Sequence, residues 1–296
     1  MQLDAIGLIG FGEAGGIFAQ DIAAQGVAVQ VYDRLLDDPR TRHDLLAKAE
    51  RLGVRLCMSA TEAIQDVPLV ISAVTAGNAL QVTETIATVL QPGQVFMDIN
   101  SAAPTTKQAA AAAVEARGGS YIDAAVMAPV PPQRLKTPML LGGAAAADLC
   151  AALNTLGFSS RVVSRQVGVA SAIKMCRSVM IKGLEALTTE SLRTARHYGA
   201  ETEVLASLHK SFPSMGWDGT LPHYLVSRVA EHGRRRAEEM EEVAETVRAA
   251  GLEPHMSEAI VQTQRGLVEA IAERGLRYTD LEPFDWADLD TKLCEN

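Results

Sequence analysis

Cysteines, aromatic residues and excess basic charge are all scarce in this chain. Its four cysteines, Cys57, Cys150, Cys176 and Cys294, form no C-x-x-C pair. That argues against a disulfide framework or a zinc site and fits reduced thiols in a cytoplasmic protein. The six histidines show no H-E-x-x-H or similar ligand spacing, so no metal is expected. The formal net charge is −9. Nucleic acid and anionic membrane both require a basic face, and neither is an expected partner. No apolar run reaches the ~18 residues needed to span a bilayer. The first expected strand begins within a few residues of Met1, so no signal peptide is expected. Aromatics make up 4% of the chain and apolar residues 48%, which implies an aliphatic, alanine-rich core. The 296 residues suit two domains.

The chain is organised around residues 6–33. A short apolar run over 5–9 leads into Gly10, Gly12 and Gly15, a G-x-G-x-x-G pattern with Phe11, Glu13 and Ala14 at the intervening positions. Ile17, Phe18 and Ile22 follow at helical spacing, Gly26 closes that helix, and a second apolar strand over 27–32 ends at Asp33. Each part has a mechanical role in holding a dinucleotide. Gly10 permits the tight turn, Gly12 leaves room for a pyrophosphate against backbone, and Gly15 lets helix and strand pack closely. The helix N-terminus offers free N–H groups and the positive end of its dipole. Asp33 is placed to accept the adenosine ribose hydroxyls, which favours NAD. Arg34 beside it is the counterweight, because it suits the 2′-phosphate of NADP.

Strand–helix alternation continues to about residue 163, with further strands expected over 54–57, 69–74, 95–99, 121–126, 139–142 and 162–163. Val74 and Thr75 end the apolar run at 69–74, where open α/β sheets bind ligands. They are read as lining the cofactor or, alternatively, as a plain strand-to-helix turn. From Gly168 onward the periodicity is helical throughout. One long helix is expected over 169–198, and shorter ones over 201–210, 222–233, 234–250 and 257–273. The acidic stretch around Trp286 reads as a short terminal helix or a partner contact. The expected architecture is therefore an α/β Rossmann domain over 1–164 and an all-α domain over 165–296.

The junction places Lys174, Arg177, Ser178, Lys182 and Glu185 on one helical face. Such a stripe is either solvated surface or the wall of a cleft. A desolvated lysine in a cleft can serve as general acid or base. A second strip, Arg228, His232, Arg235 and Glu239 at i, i+4, i+7 and i+11, is either solvated surface or an anion-binding face.

The segments IGLIGFGEAG, VYDR, MDINSAAP, YIDAAVMAPV and GVASAIKMCRSVMIKGLEAL resemble those of the β-hydroxyacid dehydrogenase superfamily, which includes 3-hydroxyisobutyrate and 6-phosphogluconate dehydrogenases. The similarity covers essentially the whole chain. It points to a branch of NAD(P)-dependent oxidoreductases with a helical C-terminal domain of unknown function.

The resemblance implies that Lys174 is the catalytic acid/base and that Asn100 and Ser101 run past the nicotinamide. It also implies a small-molecule substrate and a homodimer built on the helical domain. Two departures stand out. Met127, Ala128 and Pro129 occupy the places of a Ser-Gly-Gly substrate loop, and Ser178 stands where the family has asparagine. Pro129 has no N–H and Met127 no hydroxyl, so substrate contacts are expected from other groups, with Arg177, His232 and Arg235 as candidates.

The expected activity is hydride transfer between nicotinamide and an alcohol or carbonyl, with a hydroxy acid or a bulkier alcohol as substrate. The alternatives are an imine reductase-like enzyme and a non-catalytic dinucleotide-binding sensor or scaffold.

Overall fold

In the computed structural model, which describes residues 1–294, the strand leading into the glycine motif sits within an eight-stranded sheet of order β3-β2-β1-β4-β5-β6-β7-β8. The strands are β1 (Ala5–Ile9), β2 (Ala28–Tyr32), β3 (Arg55–Leu56), β4 (Leu69–Ser72), β5 (Val95–Asp98), β6 (Ser120–Val126), β7 (Pro138–Gly142) and β8 (Ser159–Ser164). All neighbours run parallel except β6 and β7. The helices between strands are α1 (Glu13–Ala24), α2 (Pro39–Leu52), α3 (Ala60–Ile64), α4 (Ala79–Ala87), α5 (Pro104–Glu115), α6 (Val130–Gln133) and α7 (Ala146–Thr155).

Parallel strands are buried on both faces, so apolar residues occupy successive positions and alternate between two cores. Ile6, Leu8, Leu69, Ile71, Val95 and Met97 face one core with Phe18 and Ile22 of α1. Ile9, Val70 and Phe96 face the other with Ile86 of α4 and Val114 of α5. All eight strands expected from the sequence are present. The short helix α6, which contains Pro131 and Pro132, is not among the elements expected from the sequence. Proline is tolerated in the first helical turn, where its missing N–H has no partner in any case.

The chain divides into two compact units, Met1–Met175 and Cys176–Asn296. The alternation of strands and helices stops at β8, yet the first turns of the long helix α8 (Val169–His197) stay with the sheet. Asp123, wholly buried on β6, holds them there. Its Oδ2 accepts the N–H groups of Gly168 at 3.1 Å and Ser171 at 3.0 Å, and the Ser171 hydroxyl at 3.0 Å.

The second unit comprises the rest of α8 with α9 (Glu201–Ser211), α10 (Leu221–Ala249), α11 (His255–Glu273) and α12 (Trp286–Cys294). Its apolar core gathers Leu192, Val229, Leu267, Ile271, Trp286 and Leu289. The acidic terminal stretch belongs to this core, with Trp286 buried and Asp290 paired to Arg193 at 2.6 Å. A polar layer lies beside it. Glu185 pairs with Arg236 at 2.6 Å and accepts from Gln264 at 3.3 Å, while Lys182 pairs with Glu239 at 2.9 Å. Burial raises the Glu185 carboxyl above the usual carboxylate range, an effect that the Arg236 charge opposes. No helix among the described residues is long and apolar enough to cross a membrane.

The helix α10 corrects the sequence reading, which ends one helix at Gly233 and starts another at Arg234. A single 29-residue helix runs through this point. Gly233 is there for contact, since a Cβ on it would lie 2.4 Å from the Gln264 carbonyl oxygen and 2.6 Å from Val268 Cγ2. Gly233→Ala should therefore destabilise the protein. The helix-propensity gain of about 1 kcal/mol is outweighed by overpacking against backbone, which costs about 1–3 kcal/mol or more. Urea unfolding measures the difference, and an unchanged or raised midpoint would contradict this packing account.

Candidate active site

The glycine loop shows which of its glycines serve the fold and which leave space. Gly10 has φ +97°, and a Cβ there would meet the Ala73 carbonyl oxygen at 2.3 Å. At Gly15 a Cβ would meet the Gly10 carbonyl oxygen at 2.2 Å. Both are required by the close approach of β1, β4 and α1. Gly12 has φ −70° and nothing within 4 Å of where its Cβ would be. It forms the cap of α1 with no side-chain hydrogen bond, so the first-turn N–H groups near Glu13, Ala14 and Gly15 lack a side-chain partner. Open space over uncapped amides at a helix N-terminus suits a pyrophosphate.

Asp33 fixes this loop. Its Oδ2 accepts the Phe11 N–H at 2.7 Å and its Oδ1 the Leu35 N–H at 2.9 Å. A carboxylate has about four acceptor sites, so each oxygen keeps capacity for a ribose hydroxyl. Phe11 is buried and its amide is committed to Asp33, which makes it part of the scaffold of the loop. Arg34 is exposed beside it. Lys48 on α2, which the sequence reading passes over, donates to the carbonyls of Phe11 at 2.5 Å and Gly12 at 3.0 Å and lies 4.3 Å from the Phe11 ring centroid. Burial holds its pKa below the usual lysine value, and the Asp33 charge works in the opposite direction.

The carboxyl ends of β4 and β5 carry the next group. Asn100 is buried, and its side chain joins the two strand ends. Its Oδ1 accepts the Val74 N–H at 2.7 Å, and its Nδ2 donates to Ser72 Oγ at 3.0 Å. Its own N–H donates to Asp98 Oδ1 at 2.8 Å. Asn100 therefore sets the backbone at Val74. Thr75 is exposed, and its hydroxyl accepts from Asn78 at 2.6 Å. Ser101 and Lys174, distant in sequence and both half-buried, meet here, with Lys174 Nζ donating to Ser101 Oγ at 2.5 Å.

On the loop after β6, the Met127 N–H donates to the Pro138 carbonyl at 2.9 Å, and its side chain packs against Ala125, Leu140 and Ala170. Ala128 is half-buried, and the exposed Pro129 caps α6.

The remaining candidates lie in the helical unit. The buried Ser178 hydroxyl accepts from Lys182 at 3.2 Å. Arg177 is exposed. Arg235 pairs with Glu239 at 2.5 Å, Arg228 with Glu231 at 3.3 Å, and His232 lies 3.2 Å from Glu231. Burial, and then the nearby Arg228 charge, lowers the His232 pKa. Arg228, His232 and Arg235 of the second strip thus each have a carboxylate neighbour. Arg236, half-buried and paired with Glu185, is an arginine that the sequence reading does not select. Its position was a usable signal, because it lies seven residues after Val229 and four before Met240 on the apolar face of α10. Among the described residues, no group of three or more His, Cys, Asp or Glu is gathered as a metal site.

A doubly wound sheet of order 3-2-1-4-5-6, with open amides and an acid at the end of its second strand, defines a dinucleotide-binding oxidoreductase fold. The family model described as the NAD binding domain of 6-phosphogluconate dehydrogenase matches residues 5–156, and a domain of unknown function, DUF1932, matches residues 195–267. The chain belongs to this β-hydroxyacid dehydrogenase-like family, and it is an oxidoreductase dependent on a nicotinamide dinucleotide.

A conserved hypothetical protein from Sinorhizobium meliloti 1021 is 35% identical, with 99% of this chain and 97% of that one covered, and a TM-score of 0.80. The conserved protein MTH1747, described as structurally similar to 3-hydroxyacid dehydrogenases, is 29% identical over 98% of this chain and 100% of that one, with a TM-score of 0.73. The fold alone is shared with two others. A Mycobacterium tuberculosis 3-hydroxyisobutyrate dehydrogenase is 16% identical, with both chains fully covered and a TM-score of 0.73. A reductive aminase from Aspergillus terreus, solved with NADPH, is 20% identical over 98% of each chain, with a TM-score of 0.56.

The contrast among the glycines yields a test. Gly12→Ala should leave thermal stability unchanged, because the fold has room for the methyl group. It should weaken NADH binding at least about tenfold, a loss of ~1.4 kcal/mol, by occupying the pyrophosphate's space. Fluorescence titration of NADH reads the affinity, and wild-type binding by this variant would show that the open space belongs to something else.

Proposed function

We propose that the protein oxidises an alcohol to a carbonyl, or reduces the carbonyl, with Lys174 as the general acid/base. The observation that carries this reading is the 2.5 Å contact between Lys174 Nζ and Ser101 Oγ, in the same compact unit as the glycine loop. Ser101 follows β5 as Gly10 follows β1, at the carboxyl edge where such sheets bind ligands. Gly12, the first turn of α1 and Asp33 would hold the dinucleotide, and Val74 and Thr75 would border it. The bound nicotinamide supplies or accepts the hydride.

The work of the chain is to place the substrate and move the proton. In the oxidation direction, neutral Lys174 Nζ accepts the hydroxyl proton as the carbinol carbon loses hydride. In reduction, the ammonium returns that proton to the carbonyl oxygen. Ser101 Oγ accepts one N–H of Lys174 and so orients the amine.

The Met127–Pro129 loop favours a substrate other than a small 3-hydroxy acid, because Pro129 lacks an N–H and that of Met127 is engaged by Pro138. A hydroxy acid with a larger body, or a bulkier alcohol, fits the apolar Met127. The carboxylate neighbours of Arg228, His232 and Arg235 weaken the case for these residues as anion binders, and the exposed Arg177 is the better candidate. Asp33 supports preference for NAD, since its carboxylate repels a 2′-phosphate. Exposed Met180 and Leu187 on α8 support self-association of the helical unit.

Lys174→Ala should lose about 10²–10⁴-fold in kcat, the usual worth of general acid–base catalysis, while still binding NADH. Lys174→Arg should fail as well, because a guanidinium stays protonated and cannot accept a proton. The assay is absorbance of the reduced cofactor across hydroxy acids and aryl alcohols. Near-normal turnover by Lys174→Ala would favour imine chemistry instead, the activity of the reductive aminase that shares this fold.

The cofactor preference has a separate measurement. Titrations should give tighter binding of NADH than of NADPH, and the reverse order would assign Arg34 the dominant role.

A further inference from the structure

The alanine-rich helix α5 carries one charged residue on its apolar face. Lys107 shares that face with Ala110, Ala111 and Val114, all buried, and is itself fully buried. A lysine in such a place is costly unless its three donors are met. Its Nζ donates to the Asp98 carbonyl at 2.9 Å, pairs with Asp98 Oδ1 at 2.9 Å and lies 3.9 Å from Asp123 Oδ1. Asp98 Oδ2 accepts the Tyr121 hydroxyl at 2.6 Å. The Oδ1 of Asp123 has no hydrogen-bond partner, and the Lys107 ammonium lies beside it. Lys107 thus stands between two buried carboxylates that lead to the two halves of the site.

Asp98 ends β5, and its Oδ1 receives the N–H of Asn100, the residue before Ser101. Asp123 holds the first turn of α8 through Gly168 and Ser171, and Ser171 is one turn before Lys174. We propose that Lys107 is a positioning residue that registers Ser101 against Lys174 by tying the end of β5 and the start of α8 to one ammonium. The neutral core around it has little freedom to relax, and either carboxylate without the ammonium would be an uncompensated buried charge. The function of this bridge is geometric. It holds the hydroxyl and the amine within hydrogen-bond reach, and it rests on the reading of Lys174 as the acid/base.

The test follows the reactivity of Lys174 rather than turnover, so that it stands apart from that reading. Competitive acetylation with acetic anhydride, read by mass spectrometry, gives the rate at Lys174 relative to the exposed Lys210. It is applied to the wild type, Lys107→Met, Asp123→Asn, Ser101→Ala and the doubles that combine Ser101→Ala with each of the first two. Unfolding and NADH titration confirm a folded nucleotide unit in each. Should Lys107→Met fail to fold, the shape-conserving Asp123→Asn carries the comparison.

The relative rate at Lys174 should rise at least about threefold in Lys107→Met or Asp123→Asn. The same change should disappear in the Ser101→Ala background, the non-additivity expected of coupled groups. An unchanged rate, or an equal change with and without Ser101, would overturn the proposal. If the coupling holds while Lys174→Ala keeps its turnover, the positioning stands and the catalytic role of Lys174 falls.

Discussion

A buried carboxylate in the middle of β6 is the constraint on which the arrangement of this protein depends. Asp123 caps the start of α8 from a distance, since Gly168, the residue before that helix, has no side chain of its own. Hydrogen bonds to a charged acceptor contribute about 1.5–3 kcal/mol each, and the carboxylate also favours the positive end of the helix dipole. Two N–H groups and one hydroxyl converge on it. With these bonds, the first turns of α8 are part of the sheet unit, and Lys174 is delivered to the strand ends. Without them, the first turn of α8 would lose its polar tie to β6 and would rest there on apolar contacts such as those of Ala170 with Ala125 and Leu140, which set distance well and rotation poorly.

The two sides of the sheet divide the labour. On one side of the β1–β4 switch point, steric crowding fixes the loop, since Gly10 and Gly15 have no room for a methyl group. On the other, hydrogen bonds do so, as Asn100 joins Ser72 and Val74. The open volume at Gly12 lies at the first of these, and the Ser101–Lys174 pair belongs to the second. A nicotinamide dinucleotide has its phosphates and its reactive ring well apart, and an edge with two differently built regions matches that separation.

Most of this fold was legible in the sequence, for reasons that also explain what was not. Strands buried on both faces, such as β4 and β5, read as continuous apolar runs, and the glycine motif states its own geometry, so the centre of the sheet and the loop follow from local pattern. Gly233 misled because a glycine looks the same whether it stops a helix or admits a neighbour. The deciding atom, the Gln264 carbonyl oxygen, is distant in sequence. Lys107 and Arg236 were visible as charges on apolar faces, yet their partners, Asp98 and Glu185, lie on other elements. The stripe on α8 was read as a unit, but the structure splits it. Lys174 is half-buried beside Ser101, Arg177 is exposed, and Ser178, Lys182 and Glu185 are buried in a polar layer of the helical unit. Helical periodicity identifies a face and says nothing about how many different neighbours that face meets.

The double engagement of Asp33 bears on how this nucleotide site could change over evolution or be redesigned. Its carboxylate serves at once as acceptor for the Phe11 amide, cap for the turn at Leu35 and negative charge at the end of β2. A side chain held from both sides cannot swing aside to admit a phosphate, so rejection by it is a matter of fixed charge. Replacing it with a small neutral residue removes the charge and, in the same step, leaves two backbone amides without their acceptor. A switch of cofactor therefore calls for a residue that keeps the acceptor geometry while losing the charge, and asparagine is the side chain that comes nearest to doing so.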